Sequence, residues 1–185
     1  MNLGYNISMI KKIVIALFLI VLVVASAFGF FQYQRYVKIR NVKSFEDCTT
    51  VADPLKSYPP RCNTPDGRTF KQNVGNELEM IDEIMVTNPR PNQTIANPIS
   101  VQGRARGSWF FEGSLSGELV DDNNKKIGLV ILTAEGEWMT DEFVHFQGEL
   151  SFNKPEKGHG TLFIHKENPS GLPENDKKLT IPVKF

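Results

Sequence analysis

Two hydrophobic rhythms divide the chain. The first is a run without a charge or a polar face, Ile13–Phe31 (IVIALFLIVLVVASAFGFF). Wound as a helix, such a run rises about 28 Å, close to the hydrocarbon thickness of a bilayer. The second rhythm starts at Met80 and has period two, the signature of short strands with one buried face. Ile84 and Val86 open it, and Ile99, Val101, Gly103 and Ala105 share one face of the next segment. Trp109, Phe111, Gly113, Leu115, Gly117 and Leu119 are expected on one face of a third, with Phe110 and Glu112 opposite. Ile127–Ala134 is apolar on both faces, as a central strand is when both sides are covered. Val144, Phe146, Gly148, Leu150 and Phe152 alternate with polar residues; Leu162 and Ile164 follow, and Leu179, Ile181, Val183 and Phe185 close the pattern.

Turn signals separate these segments at Asn88-Pro89, Asn97-Pro98, Asp121–Asn124, Lys154-Pro155 and Asn168–Pro173. No long helical period interrupts them. Seven short antiparallel strands in residues 80–185 predict an all-β domain, a β-sandwich of immunoglobulin type. The Cys–Trp–Cys signature of antibody domains is missing. Pro182 places the last strand at a sheet edge, since proline cannot donate to a ladder.

The apolar run admits two readings. Lys11 and Lys12 precede it, and Tyr33, Arg35 and Tyr36 follow as interfacial anchors would, which describes a single-pass transmembrane anchor over residues 13–33. Alternatively Ile13–Val24 is the core of a signal peptide and Ala25-Ser26-Ala27 its cleavage pattern. The run continues through Phe28, Phe30 and Phe31 to spanning length, which favours the anchor. Met9 is a second candidate start. Flanking charges do not settle the orientation.

Cys48 and Cys62 are the only cysteines, thirteen residues separate them, and no zinc-ligand spacing surrounds them. A disulfide is expected, which requires an oxidising compartment and therefore export; two free thiols in a cytosolic loop are the alternative. Closing that loop is worth about 3 kcal/mol on the chain-entropy model. Asp66-Gly67 marks a tight turn before a short strand at Arg68–Phe70. The expected organisation is a tail (1–12), the anchor (13–33), a linker (34–44), a two-Cys segment (45–72), a polar link (73–79) and the β-domain (80–185).

Charge sharpens this picture. The chain has 21 basic and 21 acidic residues, yet six of the basic ones and none of the acidic ones lie in residues 1–43. The remainder is therefore acidic by six charges, which argues against nucleic acid as a partner. A hydrophobic fraction of 41% excludes wholesale disorder.

Three stretches carry a family resemblance: IMVTNPRPNQTIANPISVQGRARGSWFFEG, GEWMTDEFVHFQGELSF and GTLFIHKENPSGLPENDKKLTIPVKF. Residues 84–185 thereby resemble the immunoglobulin-like domain of bacterial spore-germination and sporulation proteins, the Gmad-type family. The Cys48–Phe70 piece resembles short disulfide modules that precede such domains in small membrane-anchored bacterial proteins. The resemblance implies an accessory module of the bacterial cell envelope.

Motifs for chemistry are sparse. Gly113–Gly117 has leucine where a nucleophile elbow needs serine. Asp121–Asn124 reads as a hairpin turn, lacking the spacing of a calcium loop. His145, His159 and His165 are dispersed, and Glu135, Glu137, Asp141 and Glu142 surround Trp138 in a solvated turn. No catalytic residue, metal site or cofactor is expected. Arg104, Arg106, Phe110, Trp138 and Met139 form the candidate interaction patch, because exposed Trp and Arg anchor interfaces.

The expected function is non-enzymatic: a domain outside the cell membrane, residues 45–185, that binds or positions an envelope protein, with strand addition at the terminal edge as one mode. A wall-glycan binder is the alternative; a small hydrolase using Glu135, Glu137 or Asp141, or a protease inhibitor using the two-Cys loop, are lesser ones.

Overall fold

In a computed structural model that describes residues 3–153, 155 and 158–185, the apolar run is helical and the helix outlasts it. Helix α1, Leu3–Arg40, carries the exposed apolar residues Ile13–Phe31 and continues through residues 34–40, the stretch expected as a linker. Among the described residues one helix, over Met9–Arg40, is long and apolar enough to cross a membrane; a signal sequence near the N-terminus passes the same test.

Residues up to Gln72 form one compact unit. After α1, Ser44 caps the short helix α2, Phe45–Thr49, by a reciprocal pair: its hydroxyl accepts from the Asp47 amide and the Asp47 carboxylate accepts from the Ser44 amide. That carboxylate also takes the Lys43 amide, and these bonds hold it below the usual carboxylate range. Strands β1 (Pro54–Leu55), β2 (Arg61–Asn63) and β3 (Thr69–Lys71) make a small antiparallel sheet. The β2–β3 hairpin turns at Asp66-Gly67 as the sequence predicts. The Cys48–Cys62 disulfide, Cα–Cα 6.0 Å, lies buried with Val42, and Phe45, Val51, Ala52 and Phe70 pack around it. Arg68 ties this small core to the helix: Nη1 donates to the Val42 carbonyl at 2.8 Å and Nη2 to the Ile39 carbonyl at 2.6 Å. The Ile39 carbonyl is one of the last four of the helix and also takes the Val42 amide at 3.2 Å, and Val42 lies just past the helix end. The two-Cys segment therefore acts as a side-chain cap on α1.

Residues 73–185 form the second unit. Its strands are β4 (Ile84–Asn88), β5 (Ile99–Arg106), β6 (Ser114–Asp121), β7 (Lys126–Ala134), β8 (Phe143–Leu150), β9 (His159–His165) and β10 (Lys178–Lys184). They pair in the order β10-β9-β6-β7-β8-β5-β4, antiparallel throughout. Between β7 and β8 the ladder is interrupted: Thr133↔Gln147 and Ala134↔Phe146 pair at one end, and Gly128 bridges Phe152 at the other. Inward residues of all seven strands join one buried cluster, including Ile84, Val101, Leu115, Leu132, Phe146, Ile164 and Ile181. This is the expected all-β sandwich. The turn expected at Lys154-Pro155 falls partly outside the described residues, which omit Lys154.

The period-two reading fails in one place. Residues Gly107–Trp109 form a 3-10 turn rather than the start of a strand. Phe111 and Ser114 then exchange backbone hydrogen bonds around Glu112 and Gly113, both left-handed at φ 49° and 72°. Two consecutive positive-φ residues make a tight hairpin and reset the alternation. Trp109 stays inside, but Phe110 and Phe111 exchange faces relative to the expectation: Phe110 is 6% exposed and Phe111 46%.

Candidate functional site

The expected patch lies where the segment after β5 meets the loop before β8. Gly107 permits the approach, because a Cβ there would stand 1.9 Å from the Thr140 carbonyl oxygen. Arg106 fastens the loop: Nε donates to the Asp82 carbonyl at 3.0 Å and Nη1 to the Asp141 carbonyl at 3.1 Å. Arg104 and Arg106 point outward from β5, as expected, and both lie against the Phe143 ring, at 4.9 and 4.2 Å from its centre. Trp138 is half-buried against the core and Met139 is 73% exposed. Phe110 does not belong to the exposed set. It packs edge-on to Phe146 with ring centres 6.5 Å apart, though it also borders the depression of about 350 Å³ that Trp138, Met139 and Asp141 line.

The strand edge differs more sharply from its expectation. β10 ends the strand order, but its outer edge is occupied. Asn76 places Oδ1 on the Thr180 amide at 2.7 Å and Nδ2 on the Lys178 carbonyl at 3.0 Å. Asn92 N donates to Pro182 O, Lys184 N to Gln93 O, and Ile95 N to Lys184 O, at 2.7 to 2.9 Å. Thr94 thus pairs with Lys184 in parallel, since the chain leaving β4 runs alongside β10. Strand addition at this edge is therefore excluded in this state, whatever the effect of Pro182.

A surface that alternation did not single out lies on the outward face of β7. Leu129 and Ile131 are 65% and 64% exposed, although β7 is in the middle of the strand order. Across the ladder they sit opposite Glu118 and Ser116 of β6, and the half-buried Phe163 of β9 lies beyond Glu118. Charges rim the face. Lys126 Nζ is 2.6 Å from Glu118, His165 Nε2 is 3.5 Å from its other oxygen, and Lys178 Nζ lies 4.4 Å from the Phe163 ring centre. The hydrogen bond from Lys126 holds the Glu118 carboxyl below its ordinary range. The signal was present in the two-faced apolar character of Ile127–Ala134. It read as a strand covered on both sides, whereas one side faces solvent.

The groups weighed for chemistry stay apart. His145 projects from β8 opposite Arg104, His165 sits by Glu118, and the His159 amide donates to Asp122. Asp121 accepts from the Asn123 and Lys125 amides at 2.8 and 2.9 Å, a turn held by its own carboxylate, whose pKa those bonds lower. Glu137 accepts from the Met139 amide at 2.9 Å. Among the described residues no three His, Cys, Asp or Glu side chains gather where they would hold a metal ion. The acid most engaged with the core is Glu83, which accepts from the buried Trp109 Nε1 at 3.1 Å and from Lys177 Nζ at 2.5 Å.

Fold and surfaces together define a class: an immunoglobulin-like domain preceded by an apolar helix and a disulfide-closed cap. Residues 83–171 match the model of the Gmad2 family, described as the immunoglobulin-like domain of bacterial spore germination. The family is one of immunoglobulin-like domains rather than of enzymes. No curated protein and no solved structure matches the chain.

Proposed function

We propose that the protein is a non-enzymatic, single-pass envelope protein whose immunoglobulin-like domain binds or positions another envelope protein outside the cell membrane. The observation that carries this reading is the pair Leu129 and Ile131, held in mid-sheet with most of their surface in water. Side chains of this size gain about 1.5–3 kcal/mol each on full burial, so an apolar pair ringed by charges is a surface built to be covered. The buried disulfide supports an oxidising location, and α1 supplies an anchor that raises the domain's effective concentration for neighbours at the membrane. With the β10 edge occupied, recognition goes through the sheet face.

In-cell photocrosslinking tests this. A photoreactive residue at position 129 or at position 131 is expected to give a discrete protein adduct, and Ile131→Glu beside the first, or Leu129→Glu beside the second, to weaken it sharply while moving stability by less than about 0.5 kcal/mol. An exported, folded protein that crosslinks at neither position, yet sediments with purified wall material, would replace this reading with glycan binding.

A further inference from the structure

The end of α1 carries a cavity of about 310 Å³. On the helix side it is lined by Phe31, Gln34, Arg35 and Lys38, at positions i, i+3, i+4 and i+7 of one face. Thr50 and Val51 of the two-Cys segment form the opposite wall. Three observations point to a ligand. First, neither Arg35 nor Lys38 has an ion-pair partner among the described residues. Two cations three residues apart repel, and residues 1–43 contain no acid to relieve them. Second, they do not serve the end of the helix, where it is Arg68 that donates to the Ile39 and Val42 carbonyls. Third, their depth fits. Arg35 and Lys38 lie about 6 and 10 Å along the axis beyond Phe31, the end of the apolar run, and the headgroup layer begins where that run ends.

We propose that this cavity binds the phosphate of an anionic phospholipid of the outer leaflet, with Arg35 and Lys38 on the phosphate and an acyl chain against Phe31. The proposal rests on α1 spanning the membrane. It also gives the two-Cys segment a definite role. Clamped by Arg68 and closed by its disulfide, that segment holds Thr50 and Val51 opposite the helix and turns a plain interfacial helix face into a cleft. Phosphate is the shared chemistry of lipid headgroups and soluble phosphomonoesters, and Phe31 selects the lipid.

The test uses the full chain purified in detergent, with bound lipid read by native mass spectrometry. Phosphatidylglycerol is expected to be retained at roughly thirtyfold lower concentration than phosphatidylcholine, as two interfacial cations would produce. Arg35→Gln with Lys38→Gln should remove the preference, whereas Lys11→Gln with Lys12→Gln, at the other end of the helix, should keep it. A disulfide intact on a non-reducing gel shows that the variant cap has folded. Equal retention of both lipids by the wild type, or a preference that survives the double change at 35 and 38, overturns the proposal. Displacement by glycerol phosphate would make it a site for soluble phosphate. Alkaline extraction of native membranes separates the two readings: release of the protein overturns the anchor and this inference together. Retention without lipid preference overturns the inference alone.

Discussion

Glu83 shows how one polar residue is matched to an apolar core. Its carboxylate meets the indole N–H of a fully buried tryptophan, and Lys177 on the other side holds its pKa below the ordinary glutamate range. A carboxyl whose native pKa is lowered contributes stability that is fully present above its unfolded value, about pH 4.3, and lost as pH falls through the native value. Glu83→Gln keeps an acceptor for Trp109 and removes the charge. Wild type and variant should therefore differ in melting temperature at neutral pH and converge on acidification below about pH 4, read by tryptophan fluorescence. Parallel curves throughout would show that the Lys177 contact contributes nothing. Trp109 was legible as a core residue from its apolar phase. Its partner was not, because Glu83 lies 26 positions away and only packing makes them neighbours. Phe110 and Phe111 teach the converse: a single tight turn at Glu112-Gly113 inverted two aromatic assignments that alternation alone would support.

Among the elements, β10 is the one whose surroundings matter most. An edge strand offers unpaired backbone groups to any passing strand, and natural sheets cover such edges. Here Asn76 and residues 92–95 do so. Gly75 is required beside them, since its φ of 72° is left-handed and a Cβ would stand 1.8 Å from the Thr180 carbonyl oxygen. Asn76→Ala removes two hydrogen bonds from the edge and should cost about 1–2 kcal/mol. In hydrogen exchange the Thr180 amide should lose protection first, before the core amides of β6; unchanged protection at Thr180 would mean that Asn76 is not its cover. Pro182 had marked β10 as an edge in the sequence, and the strand order agrees. What covers that edge comes from residues 89 to 104 positions upstream, so no local pattern could reveal it.

At the scale of the molecule, the chain builds two units on different principles. The first is too small for a substantial core and relies on its disulfide and on Arg68; the second buries inward residues from seven strands and needs neither. Reduction of Cys48–Cys62 should therefore unfold residues 42–72, at a cost of about 3 kcal/mol, and leave the melting of residues 73–185 unchanged. Coincident loss of both on reduction, followed by near-ultraviolet circular dichroism, would overturn that independence. The spanning-length helix, the disulfide, the strand count and the sandwich could all be read from the chain, because each follows from local periodicity, from the count of cysteines or from the length of an apolar run. The exposed face of β7, the occupied edge of β10 and the helix-capping role of the two-Cys segment could not. Each depends on which side of an element another part of the chain covers, and burial of that kind is set by long-range packing rather than by the order of polar and apolar residues.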